Sequence, residues 1–118
     1  MEADHHAFAH EWIEAWNAHD LDRIVAHYAD DVALTSPIAR DRLGIADGTV
    51  RGKAALRAYF GAGLKAMPDL RFVHRRTYPG VASLTLEYVA ADGRIGAEYM
   101  EFGADGLVRR VVAHYAEA

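Results

Sequence analysis

The chain has 118 residues, of which 52% are hydrophobic and 25% are charged, and this length and balance predict one compact globular domain spanning residues 1–118. Seventeen acidic against thirteen basic side chains give a net charge of −4, which argues against a nucleic-acid partner because phosphate binding needs a positive surface. The chain contains no cysteine, so disulfides, thiolate metal sites and cysteine nucleophiles are excluded.

The first residues of the chain, and the length of its apolar runs, bear on where the protein is located in the cell. The segment 1–6 lacks the cationic and then apolar pattern of a secretory signal. No apolar run approaches the roughly 20 residues that a membrane span needs. We therefore expect no membrane partner and a cytoplasmic location.

Helical spacing of apolar residues dominates the first half of the chain. In the first such segment, Trp12 and Trp16 share a strongly apolar face. Asp20 is placed to cap a second, short helix, and a third follows Gly52. The predicted helices are 4–19, 21–28 and 53–67.

A short strand is predicted between the second and third helices. Apolar and small residues alternate from Val32 to Ser36, and Pro37 ends the pattern because proline cannot donate to a strand ladder. The following segment, 37–52, is rich in glycine, aspartate and arginine. We expect it to form a mobile loop or an edge hairpin.

The last fifty residues change to a period of two, which is typical of strands. Pro79-Gly80, Asp92-Gly93 and Asp105-Gly106 provide turns between them. The fold class is therefore predicted to be α+β, with three N-terminal helices packed on one face of a mostly antiparallel sheet. The predicted strands are 70–77, 81–89, 95–102 and 107–115.

No motif for a metal or a cofactor stands out. His6, His10 and Glu14 have a spacing that can bind zinc, but they lie on the helix face opposite Trp12 and lack the intervening sequence of a metalloprotease. The chain has no GxGxxG, no phosphate loop and no nucleophile elbow. We expect a solvated histidine stripe, no metal site and no cofactor.

Five segments carry a resemblance to a known family. Together they resemble the SnoaL-like branch of the nuclear transport factor 2-like superfamily, which includes polyketide cyclases and is related to ketosteroid isomerase. The resemblance implies a cone of curved sheet and helices with an apolar pocket at its open end, and a homodimer formed through the outer sheet face. The segments are 15–22 (AWNAHDLD), 27–32 (HYADDV), 36–37 (SP), 52–59 (GKAALRAY) and 104–108 (ADGLV).

Strand alternation identifies the interior residues of such a cone. Leu84, Leu86 and Tyr88 share one strand face, which we expect to point inward. On the next strand, Glu98 shares a face with Met100 and Phe102. Burial without a counter-charge raises the pKa of a carboxylic acid, so Glu98 is the leading candidate for a general acid or base.

The pattern of ketosteroid isomerase offers one comparison of mechanism. When it is laid on this chain, its neutral acid falls on Glu98, its oxyanion-hole tyrosine on Trp12 and its proton-abstracting aspartate on Ser36. Trp12 has an N–H but no hydroxyl, and Ser36 cannot take a proton from carbon unaided. The resemblance therefore does not extend to that mechanism.

His74 is the second candidate for catalysis, because it shares a strand face with Leu70 and Phe72 and a histidine side chain can act as a base. It would form an acid–base pair with Glu98 on a neighbouring strand. Tyrosines supply apolar area and a hydroxyl that orients a ligand. The predicted ligand-binding residues are Trp12, Trp16, Tyr28, Ser36, Tyr59, Leu84, Leu86, Tyr88, Met100, Phe102 and Tyr115.

Two functions from different classes remain open at this point. One is an enzyme that binds a small hydrophobic carbonyl compound and catalyses isomerisation, cyclisation or dehydration. The other is a non-catalytic module for ligand binding or dimeric interaction, in which the same residues are satisfied core. The absence of an aspartate at Ser36 favours the second function.

Overall fold

The structure is a computed structural model that describes residues 4–117. In the first half of that range, four helices are interspersed with two strands, and the second half consists of four consecutive strands. All six strands belong to one mixed sheet. The elements are α1 (His5–Asn17), α2 (Leu21–Val25), β1 (Tyr28–Thr35), α3 (Pro37–Leu43), β2 (Thr49–Arg51), α4 (Lys53–Ala66), β3 (Phe72–Gly80), β4 (Ser83–Ala90), β5 (Ile95–Phe102) and β6 (Val108–Tyr115).

The sheet has six strands in the order β2-β1-β6-β5-β4-β3. All neighbouring pairs are antiparallel except β1 and β6, which are parallel. The helices lie against one face of this curved sheet, which we call the inner face. The predicted α+β class and the mostly antiparallel sheet are confirmed.

Side-chain caps set where the first helices begin. The carboxylate of Asp4 accepts a hydrogen bond from the Ala7 N–H at 3.0 Å, and that of Asp20 accepts one from Arg23 at 3.2 Å. Each cap satisfies a backbone donor that has no partner within its helix. The second helix ends at Val25 rather than at Tyr28, because Tyr28 pairs with Val108 and begins β1.

The segment 37–52 is more ordered than the prediction of a mobile loop. Ser36 caps α3 by accepting from the Ile38 N–H at 3.1 Å, and Pro37 occupies the first turn. Proline is well suited to that position since its missing N–H would have no partner there. The segment Thr49–Arg51 then pairs with β1 as an edge strand, so the described residues contain a fourth helix and part of the predicted hairpin.

The turn between β3 and β4 lies two residues later than predicted. Gly80 pairs with Ser83, which leaves Val81 and Ala82 as the loop. Ala82 adopts a φ of 47°. Pro79 is tolerated inside β3 because β3 is an edge strand of the sheet.

The end of α1 is fastened to the beginning of β3. The Asn17 side chain donates to the Phe72 carbonyl at 2.9 Å and accepts from the Phe72 N–H at 2.7 Å. The His19 ring bonds the Leu70 carbonyl at 2.8 Å. These contacts hold α1 over the β3 side of the inner face, where Trp12 stacks on Phe72.

Among residues 4–117, no helix has the length and apolar character required to cross a lipid bilayer. The cytoplasmic location stays a prediction.

Candidate functional site

A cavity of about 540 Å³ opens between the helices and the inner face of the sheet. Its volume falls within the range of small-molecule sites. Glu98, Ser36 and Tyr115 contribute polar groups to its wall, and Trp16, Leu34 and Phe60 contribute apolar surface. Short side chains leave the space open, since Gly63, Ala90 and Ala113 line it where larger residues would fill it.

Glu98 is the one acidic side chain of this cavity that is buried, with 7% of its surface exposed. It lies in the middle of β5, between Leu86 on β4 and Ala113 on β6. Burial raises its pKa to about 7, and a hydrogen bond from the Tyr88 hydroxyl opposes that shift. Among residues 4–117, no arginine or lysine lies within 4.0 Å of its carboxyl oxygens, and no cation contributes to the shift of its pKa.

The two oxygens of Glu98 have different surroundings. The Tyr88 hydroxyl donates to Oε2 at 2.7 Å. Within residues 4–117, Oε1 has no hydrogen-bond partner, and it is not completely buried. One carboxyl oxygen is thus fixed while the other is available to a bound molecule.

Four tyrosines surround the Glu98 carboxyl group. Burial raises the pKa of each hydroxyl, and the charge of Glu98 raises each of them further. They therefore remain protonated and able to donate at neutral pH. Two of them, Tyr59 and Tyr115, line the cavity, whereas Tyr28 and Tyr88 lie beneath its wall.

Ser36 connects the cavity to α3. It is buried at the end of β1, and its hydroxyl accepts from the Ile38 N–H. Burial is the main cause of the raised pKa values of Tyr59 and Tyr115, and the nearby Ser36 hydroxyl acts in the opposite direction. Ser36 is therefore a helix cap that also lines the cavity near the two tyrosines.

The structure brings five of the predicted site residues to the cavity. They come from α1, the residue after β1, α4, β5 and β6, so no local pattern in the sequence groups them. The five are Trp16, Ser36, Tyr59, Glu98 and Tyr115.

Six other predicted ligand-binding residues lie in the solid core and do not line the cavity. α1 covers this part of the inner face, and the Trp12 N–H donates to the Tyr28 hydroxyl at 2.9 Å. The Trp12 N–H is therefore already used within the core and is not free to act as the oxyanion-hole donor suggested by the comparison with ketosteroid isomerase. Leu84, Leu86 and Tyr88 point inward as predicted. The six residues that do not line the cavity are Trp12, Tyr28, Leu84, Leu86, Tyr88 and Met100.

The placement predicted for His74 is wrong. Its side chain is exposed and bonds the Thr77 hydroxyl at 2.7 Å. The register of β3 shifts between His74 and Arg76, so simple alternation does not hold along this edge strand. His74 does not line the cavity and forms no pair with Glu98.

Phe102 also lies away from the cavity. It is half-buried and packs edge-on against Phe8 at 5.0 Å between ring centres. Phe102 does lie on the inner face, because Phe8 of α1 packs on it, but it is at the end of β5 and away from the cavity.

Five charged residues at the opening of the cavity were missed by sequence reasoning. We call this group the rim; it consists of Arg42, Asp69, Arg71, Asp92 and Arg94. Arg42 lies in the last turn of α3, Asp69 and Arg71 follow α4, and Asp92 and Arg94 follow β4, in segments whose composition is typical of loops. The sequence holds no signal that these three segments meet.

The histidine stripe on α1 is solvent-exposed, with His10 and Glu14 paired at 3.2 Å. Within the described part of the chain, no three histidine, aspartate or glutamate side chains are arranged to hold a metal ion. His6 is also exposed.

Comparisons with known proteins agree on one family. Residues 9–116 match the model of the SnoaL-like domain. A SnoaL-like protein of unknown function from Burkholderia thailandensis is 42% identical, with a TM-score of 0.95 and coverage of 99% of this chain and 98% of that chain. No curated protein is a significant match.

More distant structures share the fold. A proposed isomerase of the SnoaL-like family from Agrobacterium tumefaciens has a TM-score of 0.76 at 18% identity, covering 96% of this chain and 97% of that chain. An NTF2-like protein of unknown function from Burkholderia pseudomallei has a TM-score of 0.74 at 18% identity, covering 98% of this chain and 92% of that chain. Since the family model spans nearly all of the described residues, the chain belongs to the SnoaL-like domain family.

Proposed function

We propose that this protein binds a small apolar carbonyl compound in the cavity and catalyses a proton transfer with Glu98. The supporting observation is the position of Glu98: a buried carboxyl group in the cavity wall, whose pKa is raised to about 7 by burial. A group with such a pKa can both take up and release a proton near neutral pH. The reaction class is isomerisation, cyclisation or dehydration.

The chemistry requires only groups that the chain supplies. Ionised Glu98 removes a proton from the carbon next to the carbonyl group, and the C–H electron pair forms the enolate. The hydroxyls of Tyr59 and Tyr115 are protonated donors in the cavity wall and can stabilise the charge that develops on oxygen. Protonated Glu98 then returns the proton to a carbon of the same molecule, which completes an isomerisation.

Glu98→Gln tests this proposal with 4-phenyl-2-butanone as a probe. The measurement is deuterium exchange at its α-carbons in D2O, followed by proton NMR. Removal of the acid should lower the protein-catalysed rate at least about 100-fold. The rate with the unaltered protein should rise with pH through about 7, because ionised Glu98 is the base.

Glu101→Gln is the matched control, since it changes a glutamate of the same strand that bonds Tyr99 instead of lining the cavity. Its exchange rate should stay within about twofold of the unaltered protein. Equal rates for the unaltered protein and Glu98→Gln would remove Glu98 from the mechanism.

A non-catalytic binding role is the second candidate, and the hydrogen bonds of Ser36 and Trp12 favour it. The Ser36 hydroxyl already caps α3 and the Trp12 N–H already bonds Tyr28. Neither can act as a base. Binding of the ketone without any exchange above the buffer rate would support this candidate against the enzyme.

We also propose a homodimer formed through the outer face of the sheet. On that face Val73 lies opposite Val89, and Tyr78 lies opposite Thr85. Val73 and Tyr78 are 57% and 49% exposed, which is high for large apolar residues in a strand. Sedimentation velocity should show a dimer that Val73→Lys converts to a monomer, and a monomeric unaltered protein would contradict the proposal.

A further inference from the structure

The arginines of the rim differ from most other arginines in lacking an acidic partner. Six arginines elsewhere in the described chain lie within 4.0 Å of a carboxylate, for example Arg23 with Glu11 at 2.7 Å and Arg109 with Asp31 at 2.8 Å. Among residues 4–117, no carboxylate lies within that distance of Arg42, Arg71 or Arg94. Three unpaired cations therefore gather at one opening.

Two of these arginines lie against groups of the cavity wall. The Arg42 guanidinium packs on α4 at Gly63, where an added Cβ would lie 3.3 Å from its Nη1. Burial raises the pKa of Tyr59, and the positive charge of Arg42 is among the causes that act against this rise. The Arg94 guanidinium lies 5.7 Å from the ring centre of Tyr115.

The charges of the rim add up to a positive opening on a negative protein. Three arginines face two aspartates, Asp69 and Asp92, while the whole chain carries a net charge of −4. One oxygen of Asp92 is already bonded to the Arg94 backbone N–H at 3.0 Å. The rim carries a net charge of +1 and therefore neutralises one negative charge, whereas the second charge of a dianion would lose hydration without gaining a counter-charge.

We propose that the ligand is a keto acid, with an apolar carbonyl part inside the cavity and a carboxylate at the rim. The guanidinium groups of Arg42, Arg71 and Arg94 bind that carboxylate, because arginine matches its planar, two-oxygen geometry. This inference rests on the proposed function, since the carbonyl group must reach Glu98. The molecule is thus oriented by its two ends.

Binding of a matched pair of probes tests the inference. The pair is 4-oxo-4-phenylbutanoate and its methyl ester, which differ mainly in the negative charge, and affinities are measured by titration calorimetry in low salt. The acid should bind at least about threefold more tightly than the ester, since each exposed arginine contributes little by itself. Added salt should reduce this preference through screening.

Arginine variants locate the effect. Each single change to glutamine among Arg42, Arg71 and Arg94 should weaken binding of the acid by about 1.5- to threefold, and the triple variant should lose the whole preference. Binding of the ester should change by less than about twofold. Arg76→Gln is the matched control, because Arg76 is an exposed arginine on β3 that does not line the cavity.

A dianionic probe, phenacylphosphonate, separates carboxylate from phosphate-type recognition. It should bind more weakly than the keto acid, and tighter binding would overturn the assignment of a carboxylate.

The possible outcomes distinguish the keto-acid inference from the proposed function on which it rests. Equal affinities of acid and ester, unchanged in the triple variant, would overturn the keto-acid inference and leave the proposed function standing. Ala113→Leu, which places a larger side chain in the cavity wall, should weaken both probes. No effect of that variant on either probe would overturn both proposals, because the probes would then be bound elsewhere.

Discussion

Two regions of the inner sheet face contain similar residues but differ in how those residues are used. One is the closed cluster of Trp12, Tyr28, Phe72 and Tyr88, where the Trp12, Phe72 and Tyr88 rings lie 4.2 to 5.7 Å apart and the Trp12 N–H bonds the Tyr28 hydroxyl. The other is the cavity, where hydroxyls and the Glu98 carboxyl group face open space. The difference lies in what covers each region.

α1 covers the closed cluster directly, because Asn17 and His19 fasten its end to the beginning of β3. The cavity is covered by α4 and by the segment after it, and small residues such as Gly63 and Ala113 lie there. Aromatic and polar residues thus become core where a helix is held close, and become a site where small residues keep the space open.

The largest expected contrast between the two regions is in stability. Trp12→Ala removes a fully buried ring from the closed cluster and should lower the free energy of unfolding by about 4 kcal/mol. Tyr59→Ala removes a half-buried ring of the cavity wall and should cost less than about 2 kcal/mol. Urea unfolding at one fixed protein concentration measures both, and equal losses would show that the two regions are packed alike.

The next contrast concerns pH and the carboxyl group at the boundary of the two regions. The folded pKa of Glu98 is about 7, above its value of 4.5 without burial. The folded state therefore binds the proton more tightly, and the resulting stability is complete below pH 4.5 and is lost as pH rises through about 7.

Glu98→Gln removes this loss of stability at high pH, because the amide cannot ionise and can still accept the hydrogen bond from the Tyr88 hydroxyl. The variant should be more stable than the unaltered protein by about 3 kcal/mol at pH 8.5, with little difference near pH 4. The comparison is made between the two proteins at each pH, because burial lowers the pKa of His27 and gives both the same opposing trend. A stability difference that does not vary with pH would contradict burial of the carboxyl group.

The smallest contrast uses one glycine from each region. A Cβ added at Gly96 would lie 2.6 Å from the Tyr88 ring, which cannot move without leaving the closed cluster. Gly96→Ala should therefore cost about 2 kcal/mol. At Gly63 the nearest atom is the flexible end of Arg42, at 3.3 Å.

Gly63→Ala should increase stability by about 0.5 to 1 kcal/mol, because alanine is the better helix former and the arginine can shift. Thermal unfolding of the two variants measures the difference in sign. A loss of stability at Gly63 would show that the cavity side is as tightly packed as the closed cluster.

Much of the fold was predictable because its signals are local. The caps at Asp20 and the alternation of Leu84, Leu86 and Tyr88 depend on residues that are neighbours in the chain, and both predictions are confirmed. The alternation failed at His74 because a register shift, which has no clear signal in a single sequence, re-aims the edge strand. α3 was missed although Ser36-Pro37 is a recognisable helix start, since seven residues carry little periodicity.

The candidate site was predictable in part. Glu98 was found because a carboxylate stands on an apolar strand face, and its burial is confirmed. The rim was not found, since Arg42, Arg71 and Arg94 lie far apart in the chain and in segments with ordinary loop composition.

The sequence by itself determined the fold class, the order of most elements and the burial of Glu98, because periodicity and capping act over a few residues. Only the tertiary structure decided which buried aromatic residues are core and which line the cavity. That division depends on how closely each helix approaches the sheet, and this distance is set by contacts such as those of Asn17 with Phe72 between residues remote in the chain.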